Sequence, residues 1–317
     1  MARVVGLAVL LTVTLPPLLA LLVLVDLLRG KWRIPMARLA VFAWCWAWLE
    51  TFGVARAAGL WLVGRRGDHD AHYALQRWWA HRLMGALRAT CGVRVEVEGV
   101  EALRPAPTVL LARHASIADA LLTAWVVTEE GLHPRVVLKR ELLSDACLDV
   151  VGNRLPNCFV DRDAEDQAPA LAAIEQMAAT MDERCVAIIF PEGALASPGK
   201  RARALDRIAS SDPVRAARLR ELTRLLPPRP SGSHALLRGA SRVGATVTVM
   251  WHTGLDGMDT FAGIIARVAR PVVIRVRLAT VEPPSSLEPP AFAEWLDDCW
   301  LRLDDAVAKL TALAPPP

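Results

Sequence analysis

From Val4 to Leu28 the chain is apolar except at Thr12, Thr14, Pro16, Pro17 and Asp26. A helix needs roughly 20 such residues to cross the hydrocarbon of a bilayer, whereas a signal-peptide core has only ~7–15. The run therefore predicts an uncleaved membrane anchor, bent where the two prolines withdraw backbone donors. A cleaved signal is the alternative reading. A second apolar stretch, Pro35 to Val63, carries Trp44, Trp46, Trp48 and Trp61 together with Arg38, Glu50 and Arg56. Tryptophan belongs at the headgroup level and mid-membrane charge is costly. This piece reads either as a second span with Glu50 and Arg56 paired, or as an interfacial helix that dips in and returns. Residues 1–65 are thus expected to be an anchor.

The remainder of the chain is less apolar. The hydrophobic fraction is 53%, high for a purely soluble protein, yet charged residues still make up 22%. That mixture excludes a polytopic membrane protein and fits one or two membrane segments attached to a soluble domain. The net charge of +4 suits a surface lying on anionic lipid and is too small to argue for nucleic acid. The six cysteines are scattered, with no CxxC pair and no histidine at zinc-like spacing, so a reduced domain without a metal is expected.

Residues 66–317 alternate strand and helix signals. Val93–Val97, Thr108–Leu111, Val136–Leu138, Val186–Phe190, Thr246–Met250 and Val272–Val276 are apolar or β-branched runs of strand length. Helical stretches lie between them, notably Ser116–Thr128, Pro169–Arg184 and Ser233–Val243. Interleaving of this kind predicts an α/β fold with a sheet covered by helices on both faces. Near the C-terminus Phe292, Trp295, Leu296, Cys299, Trp300, Leu303, Val307 and Leu310 recur at helical spacing, which predicts a helix packed on the domain.

Three short stretches carry candidate chemistry. In Leu110–Ala120 a strand ends, His114 follows, and Asp119 stands five positions later near an expected helix start at Ser116. A carboxylate on one imidazole nitrogen fixes the tautomer and leaves the other nitrogen to accept a proton, which makes a general base. Ser116-x-x-Asp119 is equally a capping-box pattern, in which Asp119 only serves the helix start. In Val186–Gly193 a buried strand runs into Pro191, Glu192 and Gly193, and the end of a central strand is where open α/β sheets place ligand-binding groups. In Leu155–Arg162, Arg162 is a candidate for bidentate phosphate recognition with Asp161 holding it, although such a pair is more often a solvated surface feature.

Together and in this order, the stretches resemble the glycerolipid acyltransferase superfamily, the lysophosphatidic acid acyltransferases in particular. The family's Asn-His-x-Ser-x-x-Asp block is met by His114, Ser116 and Asp119, with Arg113 in place of asparagine. Its Phe-(Ile/Val)-Asp-Arg block is met by Phe159, Val160, Asp161 and Arg162. Of Phe-Pro-Glu-Gly-Thr-Arg-Ser, Phe190 to Gly193 match, while Ala194, Leu195 and Ala196 replace the rest. Lys200 stands where one subgroup has a lysine, and Leu225–Gly232 is similar to that subgroup's Leu-Pro-Arg-x-x-Gly. Ala245–Trp251 has the strand of the fourth block without its proline.

The resemblance implies a mixed sheet flanked by helices, with N-terminal membrane-anchoring helices. It implies direct acyl transfer from acyl-CoA or acyl carrier protein, as co-substrate rather than cofactor, to the hydroxyl of a membrane lysophospholipid. The expected acceptor is 1-acyl-glycerol-3-phosphate, giving phosphatidate. His114 and Asp119 would be catalytic, and Arg162, Glu192, Gly193 and Lys200 would bind substrate, with no metal. Leu195 in place of the family arginine leaves open an acceptor with another headgroup, and a lipid-binding protein without catalysis is a further alternative. A serine hydrolase would need Gly-x-Ser-x-Gly, which the chain lacks. Arg29, Lys31, Arg33 and Arg38 place residues 29–38 in the cytoplasm by the positive-inside rule. A re-entrant or interfacial second segment then keeps the catalytic domain on the cytoplasmic face, the inner membrane in a bacterium. Residues 199–229 are strongly basic, opposed locally only by Asp206, Asp212 and Glu221; they read as a solvated face or as a docking surface for lipid or donor phosphates.

Overall fold

The structure, a computed structural model, describes residues 2–144, 148–161, 164–258 and 260–313. Helix α1 (Ala2–Leu28) continues through Pro16 and Pro17, and among the described residues it alone is long and apolar enough to cross a bilayer. Helix α2 (Pro35–Leu62) folds back along it. The buried Asp26, an interruption in the apolar run, closes this hairpin: its Oδ2 accepts the Met36 and Ala37 amides at 2.9 and 3.2 Å. These are orphan donors at the start of α2, which a side-chain carboxylate satisfies. Farther along, the Trp44 and Trp48 indoles both donate to Thr12 Oγ1, at 2.9 and 3.0 Å.

The other side of α2 rests on helix α3 (His69–Cys91). A mutual Glu50–Arg56 pair is one expectation for this segment; instead each of the two engages a tryptophan of α3. Trp79 Nε1 donates to Glu50 Oε1 at 2.8 Å, and the Arg56 guanidinium lies 4.1 Å above the Trp78 ring. Arg154 fastens the far end of α2 by donating to the Ala57 carbonyl at 2.8 Å. Val54, Ala57, Tyr73, Leu75, Val151 and Leu155 fill the space beneath it.

Among the described residues seven strands form one mixed sheet: β1 (Val93–Glu98), β2 (Thr108–Ala112), β3 (His133–Lys139), β4 (Cys158–Val160), β5 (Cys185–Ile189), β6 (Thr246–Thr253) and β7 (Val272–Val281). Their order is β1-β7-β6-β2-β5-β3-β4, parallel at every pair except β6–β7. The central β2 and β5 are buried at every residue. Side chains alternate between faces with period two. Val109, Leu111, Ala187 and Ile189 meet α5 (Ala168–Ala179), α8 (Pro230–Ser241) and α10 (Pro289–Ala312). Leu110, Ala112, Val186 and Ile188 meet α3 and α4 (Asp119–Glu129).

The six expected strands are present; β4, three residues long, offers no periodicity to read. Helix α5 stops at Ala179 rather than Arg184, because the Asp182 carboxylate accepts the Arg184 amide at 2.9 Å in an Asx turn. The apolar stripe of α10 is buried as expected, but its acids are not all solvated. Asp297 accepts from Arg215 at 2.7 and 2.9 Å, and Asp304 accepts the amides of Thr223, Arg224 and Leu225 at 2.7–2.9 Å. Together with Arg218–Asp298, these contacts bind α7 (Pro213–Leu219) and the segment after it to the domain, and α6 (Pro198–Ala209) packs on α7. Part of the basic segment is therefore neutralised by acids some 80 residues away.

Candidate active site

The parallel register sets three residues side by side just past the strand ends. Continued two residues past Ala112↔Met250, it puts His114 beside His252; continued three past Leu111↔Ile189, it puts His114 beside Glu192. The site thus lies at the carboxyl ends of β5, β2 and β6, where parallel strands expose ligand-binding groups.

His114 Nδ1 is 3.1 Å from Asp119 Oδ2, the His114 side chain is 21% exposed, and Asp119 is wholly buried. The same Oδ2 accepts the Ala115 and Ser116 amides at 2.6 and 2.8 Å. The contacts required by the two rival readings of Ser116-x-x-Asp119, to the amides of the helix start and to the imidazole, are made by one oxygen. Helix α4 starts at Asp119 itself, later than expected, because residues 115–118 form the turn that folds over this carboxylate. Burial opposes the charge on Asp119, but the imidazoles of His252 and His114 and the Ser116 amide outweigh it. They hold the carboxyl well below the usual carboxylate range.

Glu192 is also fully buried, and both its oxygens are taken by backbone: Oε1 accepts the His114 amide at 2.8 Å, Oε2 the Leu226 amide at 2.9 Å. The His114 carbonyl in turn accepts from the Ala196 amide at 2.9 Å. Glu192 therefore bears on the site through the backbone of His114. Gly193 has φ +67°, a backbone conformation that favours glycine, and a Cβ there would press on the Arg229 side chain at 3.1 Å from its Cδ. Lys200 Nζ donates to the Leu195 carbonyl at 3.3 Å. Arg162 lies outside the described residues; its neighbour Asp161 faces Arg140 at 3.7 Å.

Burial pushes the Glu192 carboxyl up to about 8, against the two amides that favour its charge. A carboxyl raised in this way keeps a proton that unfolding releases. Its contribution to stability is complete below about pH 4 and is lost as pH rises through about 8. The expected slope in that window is a loss of about 1.4 kcal/mol per pH unit, absent in Glu192→Gln. Thermal unfolding in detergent between about pH 5 and pH 8, wild type beside variant, measures it.

Two hollows flank the site. An apolar cavity of about 340 Å³ is lined by His114 and Leu195 together with Trp79, Ile117, Leu121, Leu138, Leu148 and Val151. The Phe190 ring closes one side of it, with its centroid 4.7 Å from that of His114. On the other side of the 192–196 loop, a groove of about 540 Å³ between α6 and residues 226–231 is lined by Lys200, Arg203, Arg207 and Arg229.

His252, Arg113 and Asp256 escape sequence reading as members of the site. Arg113, at the family's asparagine position, is buried, donates to the His252 carbonyl and pairs with Asp256. For Arg113 the available signals are its place at the family's asparagine position and a charge directly after the apolar run Val109–Ala112. For the other two only the β2–β6 register would serve.

Residues 94–250 match the protein-family model Acyltransferase. No curated protein matches the chain in sequence. In architecture it is similar to the crystal structure of PlsC, the 1-acyl-sn-glycerophosphate (LPA) acyltransferase of Thermotoga maritima. The TM-score is 0.51 at 15% identity, over 84% of this chain and 97% of that one.

Proposed function

Residues 94–250 form an Acyltransferase-family domain, and on that premise we propose that the chain transfers a fatty acyl group from acyl-CoA or acyl carrier protein to the hydroxyl of a lysophospholipid. The observation that carries the reading is the half-buried His114, backed by the buried Asp119, in the lining of an apolar cavity. The cavity takes the acyl chain and presents the thioester carbonyl to the free Nε2 of His114. That nitrogen removes the proton from the acceptor hydroxyl as its oxygen attacks the carbonyl. The new C–O bond forms, the C–S bond breaks, and the proton passes to the departing thiolate. Asp119 orients the ring and balances its positive charge; acid–base help of this kind is worth ~10²–10⁴-fold in rate.

The acceptor we favour is 1-acyl-glycerol-3-phosphate, the substrate named for the Thermotoga enzyme. Lys200, with Arg203, Arg207 and Arg229, supplies a cationic groove for phosphate, and Arg162 is a further candidate ligand. Leu195 supports the second reading, a remodelling enzyme with another headgroup, because it adds apolar surface beside His114 where the family arginine would stand.

Residues 1–65 act as the anchor and 66–317 as the catalytic domain, on the cytoplasmic face. Since α2 lies between α1 and α3, a bilayer crossing by α1 would draw the flank of the domain in with it. That supports a hairpin immersed from one side, which keeps the site with a cytoplasmic donor. Membranes holding wild type or His114→Ala, given radiolabelled acyl-CoA or acyl carrier protein and a panel of lysophospholipids, test the proposal. Transfer is expected to disappear with His114, and the best acceptor identifies the headgroup. Transfer that survives His114→Ala, or is absent from wild type with both donors, overturns the reading.

A further inference from the structure

Asp119 has two oxygens, and the chemistry above uses one. Oδ2 is filled by three donors, the Ala115 and Ser116 amides and His114 Nδ1. Oδ1 is buried and receives no hydrogen bond, yet His252 Nε2 stands 3.2 Å from it, out of line. His252 is itself fully buried, and neither of its ring nitrogens has a hydrogen-bond partner among the described residues. A buried acceptor and a buried donor left unmade at contact distance each cost desolvation without return, and a small rotation of the ring satisfies both.

The backbone at His252 is held for that purpose. Arg113 donates to the His252 carbonyl, its guanidinium is anchored on Asp256, and its own amide donates to Met250 O at 3.0 Å. The end of β6 is thereby clamped against the end of β2, with the two imidazoles on opposite oxygens of one carboxylate.

We propose that His252 is a positioning residue for acyl transfer: with its proton on Nε2 it donates to Asp119 Oδ1, and so fixes the plane in which the carboxylate meets His114. This rests on His114 being the base. A carboxylate held only through Oδ2 can swing about that oxygen, and its alignment with Nδ1 is lost. Of the other buried polar groups near the site, Glu192 is held by two amides, and Arg113 by Asp256 and a carbonyl with only its Nε left over.

The test separates the donor from the shape. His252→Leu fills the space without an N–H, whereas His252→Gln keeps one within reach of Oδ1. His252→Leu is expected to lower kcat about 10–100-fold, the range seen when an outer partner of an active group is removed, with KM for donor and acceptor within about twofold. His252→Gln is expected to recover most of that loss. Equal activity in the two variants, or a loss that falls on KM, overturns the proposal. If His114→Ala, assayed alongside, keeps its transfer activity, then the base assignment has failed. If His114→Ala is inactive and His252→Leu is unimpaired, His252 alone has been misassigned.

Discussion

Asp119→Ala is expected to lose the reaction and much of the fold together, whereas Asp119→Asn loses chiefly the reaction. In wild type one oxygen of Asp119 holds two backbone amides and His114, and the other faces His252. Alanine leaves all of these donors buried without an acceptor; breaking a buried charge-assisted set typically costs about 3–5 kcal/mol. Asparagine keeps a carbonyl oxygen for the Ala115 and Ser116 amides, but has no charge to stabilise a protonated His114. Both variants should turn over about 10⁴-fold more slowly, since loss of the orienting carboxylate in a comparable His–Asp pair has that size. Unfolding in detergent beside initial rates separates the two effects. Acidity gives a further handle. The Asp119 carboxyl is depressed in the fold, so its stabilisation is present above about pH 4 and fades as pH falls below that. Asp119→Asn should lack that acid-induced weakening.

The second large effect concerns Gly239. Glycine inside an exposed helix costs about 1 kcal/mol relative to alanine, so Gly→Ala normally stabilises. Position 239 reverses that sign. A Cβ there would stand 2.0 Å from the Glu175 carbonyl oxygen and 2.9 Å from Ala178 Cβ, because the α8 backbone at this residue lies directly against the backbone of α5. Neither neighbour is a flexible tip, so the helices must separate along a contact that covers one face of the sheet. Gly239→Ala is expected to destabilise by about 3 kcal/mol, at the upper end for overpacking. Gly85 in α3 is exposed, and a Cβ added there would meet nothing within 4 Å, so Gly85→Ala should stabilise by about 1 kcal/mol. Denaturant midpoints of the two variants should move in opposite directions.

The residues most legible in the sequence are those whose partners lie nearby along the chain. His114 and Asp119 are five apart, and their spacing forecasts a contact that the β2–α4 turn makes. Strands β2 and β5 are readable because burial on both faces leaves uninterrupted apolar runs. Glu192 stands out by its place at a strand end, but its two amide partners are 78 and 34 positions away, so its service to the His114 backbone is not readable. His252 is 133 positions from Asp119. Only the register of β6 on β2 brings them together, and register is a property of the assembled sheet. The basic segment misleads for the same reason, since the acids that neutralise Arg215 and Arg218 belong to α10.

The hairpin of α1 and α2 has one more consequence. Leu75, Trp79 and Val151 wall the apolar cavity on one side and lie under or beside α2 on the other, and Arg154 ties the end of α2 to the same wall. On the function proposed above, the segment placed at the bilayer would also back the wall of the acyl-chain cavity. Lateral pressure and thickness of the surrounding leaflet would then act on that wall through α2. The lipid composition to which such an enzyme would contribute would in turn be a mechanical input to it.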